Sequence, residues 1–186
     1  ASVCGGHCAD LGLCALQERS PESAVIRSLD GGKIRVEREM GYVADVLDEA
    51  GLSQVPGRTA IGHVRYSTAG ASMLSNAQPI VFATKHGPLG LAHNGNLVNA
   101  REIRAVLESQ GALFTTTSDS EVILHLVGRS QASTLGGAMA EALLEVRGAS
   151  PQGIRSGEGS FAAREPNGIR PPWTGEREGQ RRDAAR

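Results

Sequence analysis

The sequence predicts an α+β domain, on three observations. Short apolar runs separated by tight turns fill the chain up to residue 92, as hairpins do. From residue 99 the apolar residues switch to helical spacing, behind residues suited to helix starts. At 186 residues the chain has room for one core and little more.

The elements follow in order. Asp10 or Gly12 opens a short helix through Leu13, Ala15 and Leu16, which Pro21 ends. Ala24-Val25-Ile26, the turn Asp30-Gly31-Gly32, and Ile34 with Val36 read as a β-hairpin. Val43, Val46 and Leu47 recur at helical spacing, so a short helix is expected before Gly51. Pro56-Gly57 turns the chain into a strand from Thr59 to Tyr66, with Arg65 beyond its apolar part. A polar loop runs from Ser67 to Pro79. Ile80 to Ala83 and Leu89 to Ala92 are strands joined at His86-Gly87-Pro88. Asn99 with Glu102 caps a helix whose buried stripe is Ile103, Val106 and Leu107, and Gly111 stops it. Ser118 and Glu121 form a second capping box, ahead of Val122, Ile123, Leu126 and Val127. Asp119 thereby falls near the positive end of that helix. A third helix spans Thr134 to Val146, with Met139, Leu143 and Leu144 apolar. Residues 148 to 186 are rich in Gly, Ser, Pro and Arg and read as a mostly irregular tail.

Composition excludes several classes of function. The net charge is −1 with no Lys/Arg stripe, so nothing points to nucleic acid or an anionic membrane as partner. No apolar segment approaches the roughly 20 residues of a membrane span, and the start lacks a signal-peptide pattern, so a cytoplasmic location is expected. The Gly-x-Gly at 157 to 159 has neither the third glycine nor the flanking elements of a nucleotide loop.

All three cysteines lie early, at Cys4, Cys8 and Cys14, with His7 among them. An odd count argues against a disulfide framework. Cys-x-x-His-Cys-x5-Cys can be read as zinc ligands, although structural zinc sites draw theirs from two separated pairs. The other reading makes one cysteine a nucleophile near the chain start. Asn94-Gly95 has two readings as well. It is the strongest short hairpin signal, and it also sets a side-chain amide beside an unshielded backbone N–H, the pair an oxyanion needs. Taken singly, Arg65 reads as a strand terminus and Asp119 as a helix-start charge.

Three runs alter those priors. Ala60-Ile61-Gly62-His63-Val64-Arg65-Tyr66-Ser67-Thr68-Ala69-Gly70, Leu91-Ala92-His93-Asn94-Gly95-Asn96-Leu97-Val98-Asn99 and Thr117-Ser118-Asp119-Ser120-Glu121-Val122 closely resemble the class II glutamine amidotransferase domain of amidophosphoribosyltransferases, in the family's order. Shorter matches are Gly12-Leu13-x-Ala15-Leu16-Gln17, Asn76-Ala77-Gln78-Pro79 and Pro166-Asn167-Gly168-x-Arg170-Pro171. The resemblance implies a four-layer αββα sandwich of the N-terminal nucleophile hydrolase type. It implies an amidotransferase domain over 4–147, a tail over 148–186, and no phosphoribosyltransferase domain in this chain.

It also implies roles. Cys4 attacks the side-chain amide of glutamine, releasing ammonia, and water then hydrolyses the thioester. Asn94 and the Gly95 N–H hold the oxyanion, Arg65 grips the α-carboxylate, and Asp119 holds the α-ammonium. Arg19, Tyr66 and Thr68 line the pocket. No cofactor or metal is implied for this domain, since Mg and phosphoribosyl pyrophosphate belong to the other half, where ammonia would serve the first step of purine synthesis. Glutamine is the implied partner, and a homo-oligomer is compatible with the family. The competing expectation is an inactive amidotransferase-like fragment, at most a binding module.

The departures are local. After Cys4 the family has an apolar strand, whereas this chain has Gly5-Gly6-His7-Cys8 and reaches Gly12-Leu13 early, so strands are expected to be missing at both ends. Glu18-Arg19-Ser20-Pro21-Glu22-Ser23 puts a proline where the family has glycine-flanked freedom. Ala1-Ser2-Val3 makes the Cys4 nitrogen an amide, so the base of the family's mechanism is expected only after their removal.

Overall fold

The computed structural model describes residues 5–16, 23–30, 33–41, 43, 48–65, 74–149, 152–156, 159–163, 173–177 and 180–184. Two antiparallel sheets lie face to face, each with helices on its outer side, which is an αββα arrangement.

The first sheet has the order β2-β1-β3, with β1 at Ser23–Asp30, β2 at Lys33–Met40 and β3 at Thr59–Arg65. The hairpin expected from Asp30-Gly31-Gly32 is present, with Asp30 paired to Lys33. Helix α1, Gly5–Leu16, packs on β3 and β1, where Leu13, Ala24 and Ile26 form a small core with Val43 and Val55. The sequence places this helix from Asp10 or Gly12, but it begins at Gly5. Gly5 and Gly6 are poor helix formers held by close approach. A β-carbon at Gly5 would lie 2.6 Å from the Thr59 nitrogen, and one at Gly6 2.8 Å from the Val55 carbonyl oxygen. Among the described residues, helix therefore stands where the first strand was expected to be missing. A further helix, α2, covers Glu49–Gln54 with Asp48 as its cap, so Gly51 is buried inside a helix rather than ending one. Of the residues on which the earlier helix expectation rested, Val43 is buried, and Val46 and Leu47 lie outside the described residues.

The second sheet has the order β4-β5-β8-β9, with β4 at Ile80–Thr84, β5 at Gly87–His93, β8 at Gln152–Arg155 and β9 at Ser160–Ala163. Its last two strands correct the expectation of an irregular tail. Ile154 is buried, paired with Leu91 on one side and Phe161 on the other. Two further short ladders occur: β6 (Asn96–Leu97) with β7 (Gly148–Ala149), and β10 (Trp173–Arg177) with β11 (Gln180–Ala184).

Helices α3 (Ala100–Ser109), α4 (Glu121–Arg129) and α5 (Leu135–Glu145) cover the outer face of this sheet. Leu89, Leu91, Leu107, Ile123, Leu124, Leu135 and Ile154 make the main core. Val106 and Leu144 do not join it, being 56% and 85% exposed.

Between the sheets the alternation of β3 is decisive. Ala60 and Val64 face α1, and Gly62 makes room for Leu13, while Ile61 reaches the second sheet at Gly153. Arg27 and Leu29 of the first sheet face Val81, Pro88 and Gly90 of the second across the same seam.

Candidate active site

The C-terminal ends of β3 and β5 meet at one end of this sandwich. The His63 ring lies beside His93 there, in the seam between the two sheets. Arg65 follows on the same face of β3, about 7 Å further along at the usual rise, and is 8% exposed. His93 is the last residue of β5, so Asn94-Gly95 is the turn that leaves it.

That turn is held on both sides. Before it, the His93 N–H donates to Gln78 Oε1 at 2.6 Å, and His93 pairs with Gln152 of β8. After it, the Leu97 N–H donates to Asp119 Oδ2 at 2.7 Å, and Asn96-Leu97 pairs with Ala149 and Gly148. Gly148 is required here, because its φ is +143° and a β-carbon would lie 2.3 Å from the Asn96 carbonyl oxygen. Asn99 adds a clamp, donating to the Glu145 carbonyl at 2.9 Å and accepting from the Arg147 N–H at 2.8 Å. Its side chain is therefore not the helix cap that the sequence suggested. Glu145, Arg147, Gly148, Ala149 and Gln152, on both sides of the boundary expected at 147, hold the loop in place.

Asp119 arrives from the other direction, just before α4. The expected capping box is not formed. Ser120 is the N-cap residue, Ser118 Oγ accepts from the Ser120 N–H at 3.3 Å, and Glu121 turns away from the helix start. The Glu121 carboxylate is fully buried and accepts from the N–H and hydroxyl of both Thr115 and Thr116, at 2.6 to 3.0 Å. Asn76 closes the loop by exchanging two hydrogen bonds with Thr117, at 2.8 and 2.9 Å. Asp119 is thus carried on a loop anchored to the core.

Arg65, Asn94, Gly95 and Asp119 accordingly share one end of the fold. Cys4, Arg19, Tyr66 and Thr68 lie outside the described residues. Gly5, covalently next to Cys4, is described: its N–H donates to the Gly57 carbonyl at 2.7 Å, at the Thr59 end of β3. From there to Arg65 is six strand residues, about 20 Å. For the zinc alternative, no group of three potential ligands is found among the described residues, and neither Cys8 nor Cys14 is in a disulfide. No helix among the described residues is long and apolar enough to cross a membrane.

Sequence reasoning missed Gln78, His93 and Ser120 as parts of the site. Their signal was their place inside or beside the motifs that carried the resemblance. His63 also has a measurable consequence. Its Nδ1 is buried without a partner, and burial pulls its pKa down from 6.5 to about 4, with His93 and Arg65 adding to that and the His93 carbonyl opposing it. Between pH 6.5 and 4 the unfolded chain therefore binds more protons than the folded one, so stability falls as the pH drops through this window. The full effect is at most about 3 kcal/mol. Urea midpoints at pH 7 and 4.5 should fall less for His63→Gln than for wild type; equal falls would contradict this assignment.

Residues 63–182 match the family described as the glutamine amidotransferase domain. The chain is 44% identical to amidophosphoribosyltransferase 1, chloroplastic, of Arabidopsis thaliana over 168 residues, which cover 90% of this chain and 30% of the relative. It is 43% identical to the amidophosphoribosyltransferase of Bacillus subtilis over 161 residues, 86% of this chain and 34% of the relative. The solved glutamine phosphoribosylpyrophosphate amidotransferase from B. subtilis superimposes with a TM-score of 0.85 at 39% identity, covering 93% of this chain and 37% of that one. The chain spans about a third of the length of the curated relatives it matches.

Proposed function

Since the chain belongs to the glutamine amidotransferase domain family, we propose that it is the glutamine-hydrolysing part of an amidophosphoribosyltransferase, supplying ammonia for phosphoribosylamine formation in purine synthesis. The observation that carries this reading is the convergence of Arg65, Asn94-Gly95 and Asp119 at the end of the fold where β3 packs on β5 and the Leu97 N–H donates to Asp119.

The chemistry fits those residues. A guanidinium offers two parallel donors to the α-carboxylate, and Asp119 offers a carboxylate to the α-ammonium. The Cys4 sulfur attacks the side-chain carbonyl carbon, and the Asn94 amide and Gly95 N–H take up the oxyanion charge that develops only in the transition state. Ammonia leaves, and water releases glutamate from the thioester. Arg19, Tyr66 and Thr68 complete the pocket. None of these steps calls on a metal or cofactor, and Mg and phosphoribosyl pyrophosphate are assigned to the other half of the relatives. The reading carries with it the cytoplasmic location and the family's homo-oligomer.

The position of Gly5 favours a second reading, in which the chain binds glutamine without turning it over. Gly5 sits at the Thr59 end of β3, and about 20 Å of strand separates that end from Arg65. Glutamate release by the purified chain with Ala1-Ser2-Val3 removed, which frees the Cys4 amine as the base, set against the same chain carrying Cys4→Ala, decides between the two. Release that is lost in the variant establishes hydrolysis. Equal release, or none beside measurable glutamine binding, removes the catalytic role of Cys4 and leaves a binding module.

A further inference from the structure

Ser120 occupies the N-cap of α4, the position where a serine ordinarily spends its hydroxyl on a helix N–H. Here it makes no such bond. It is completely buried, and its Oγ lies 2.7 Å from His93 Nδ1, 3.3 Å from Gln78 Nε2 and 3.2 Å from Asp119 Oδ1.

A hydroxyl has one proton to give. Gln78 Nε2 can only donate, and the Asp119 carboxylate can only accept, so the bond to Asp119 claims the proton of Ser120. His93 Nδ1 must then carry its own proton and donate to Oγ, which fixes the tautomer of His93. Gln78 is fixed in the same way, its oxygen taken by the His93 N–H and its nitrogen by Ser120. Every proton in the cluster therefore points toward Asp119. The carboxylate ends with Oδ2 on the Leu97 N–H and Oδ1 on Ser120, while its side chain keeps 21% of its surface exposed.

Resting on the glutamine reading above, we propose that Ser120 is a positioning residue that aims the Asp119 carboxylate at the α-ammonium of the substrate. It acts through Asp119 and touches no reacting atom. It also joins the ammonium-binding carboxylate to the strand end that carries Asn94-Gly95, since His93 belongs to both networks.

The test uses the full chain and two ligands: L-glutamine, and glutaric acid monoamide, which lacks the α-amino group. By calorimetry, Ser120→Ala should weaken glutamine binding about tenfold and binding of the monoamide less than about twofold. In an Asp119→Asn background, Ser120→Ala should bring no further loss of glutamine affinity. Equal losses for both ligands, or an undiminished loss in that background, would overturn the proposal. Amide exchange gives a reading independent of any ligand. Leu97 should exchange about tenfold faster in Ser120→Ala, with Leu126 in the same helix layer unchanged as evidence that the fold is intact. Unchanged exchange at Leu97 overturns the proposal whatever the ligands do. A wild-type chain that does not distinguish the two ligands overturns the glutamine reading itself, and the Leu97 exchange still decides whether Ser120 holds Asp119.

Discussion

Glu121→Ala should destabilise the protein by about 3–5 kcal/mol, the largest stability loss expected of any single polar substitution here. The carboxylate is wholly buried and serves four donors, the N–H and hydroxyl groups of Thr115 and Thr116. Alanine leaves all four without an acceptor beneath the loop, and water reaching the gap recovers part of that loss. Thermal unfolding should show a midpoint lower by about 6–20 °C for a chain of this length. Glu121→Gln, which keeps the shape and one accepting oxygen, should lose roughly half as much. A change below about 1 kcal/mol in the alanine variant would mean that the carboxylate is not the anchor described.

Arg65→Ala should weaken glutamine binding by about 2–5 kcal/mol, from thirtyfold to several thousandfold. The side chain is almost fully buried at the end of β3, where an ion pair with the substrate carboxylate is poorly screened. Lysine at this position keeps the charge but not the two-pronged geometry, so Arg65→Lys should fall between wild type and alanine. Calorimetry reads both variants, and the expectation holds whether or not glutamine is turned over. Affinity within a factor of three of wild type for the alanine variant would remove Arg65 from the site.

Much of the fold was legible because alternation is a strong signal when each face of a strand meets a different layer. In β3, Ala60 and Val64 pack under α1 while Ile61 and His63 enter the seam, and the sequence shows that period directly. The helix from Gly5 was not legible, because two glycines argue against a helix unless close packing on Thr59 and Val55 is known. Strands β8 and β9 were hidden by their composition. Each offers one strong apolar residue, Ile154 and Phe161, and only their pairing across the sheet shows that both belong to the core. The candidate site was legible where a motif and a turn coincide, at Asn94-Gly95 and Asp119. Its supports were not: the capping boxes at Asn99 and Ser118 were plausible locally, but Asn99 is drawn into bonds with Glu145 and Arg147, and Glu121 turns from Ser118 to Thr115 and Thr116.

Arg65 belongs to the three-stranded sheet, whereas Asn94-Gly95 leaves the four-stranded sheet and Asp119 belongs to the helix layer packed on it. A zwitterion held at both of its charges would clasp the two halves of the sandwich across their seam. Site occupancy and the cohesion of the two sheets would become one linked equilibrium. A ligand present at a hundred times its Kd would add about 2.7 kcal/mol to the stability of the whole domain. By the same linkage, a substitution that lets the sheets part would weaken apparent binding in proportion to the fraction of molecules it leaves parted, even without touching the ligand.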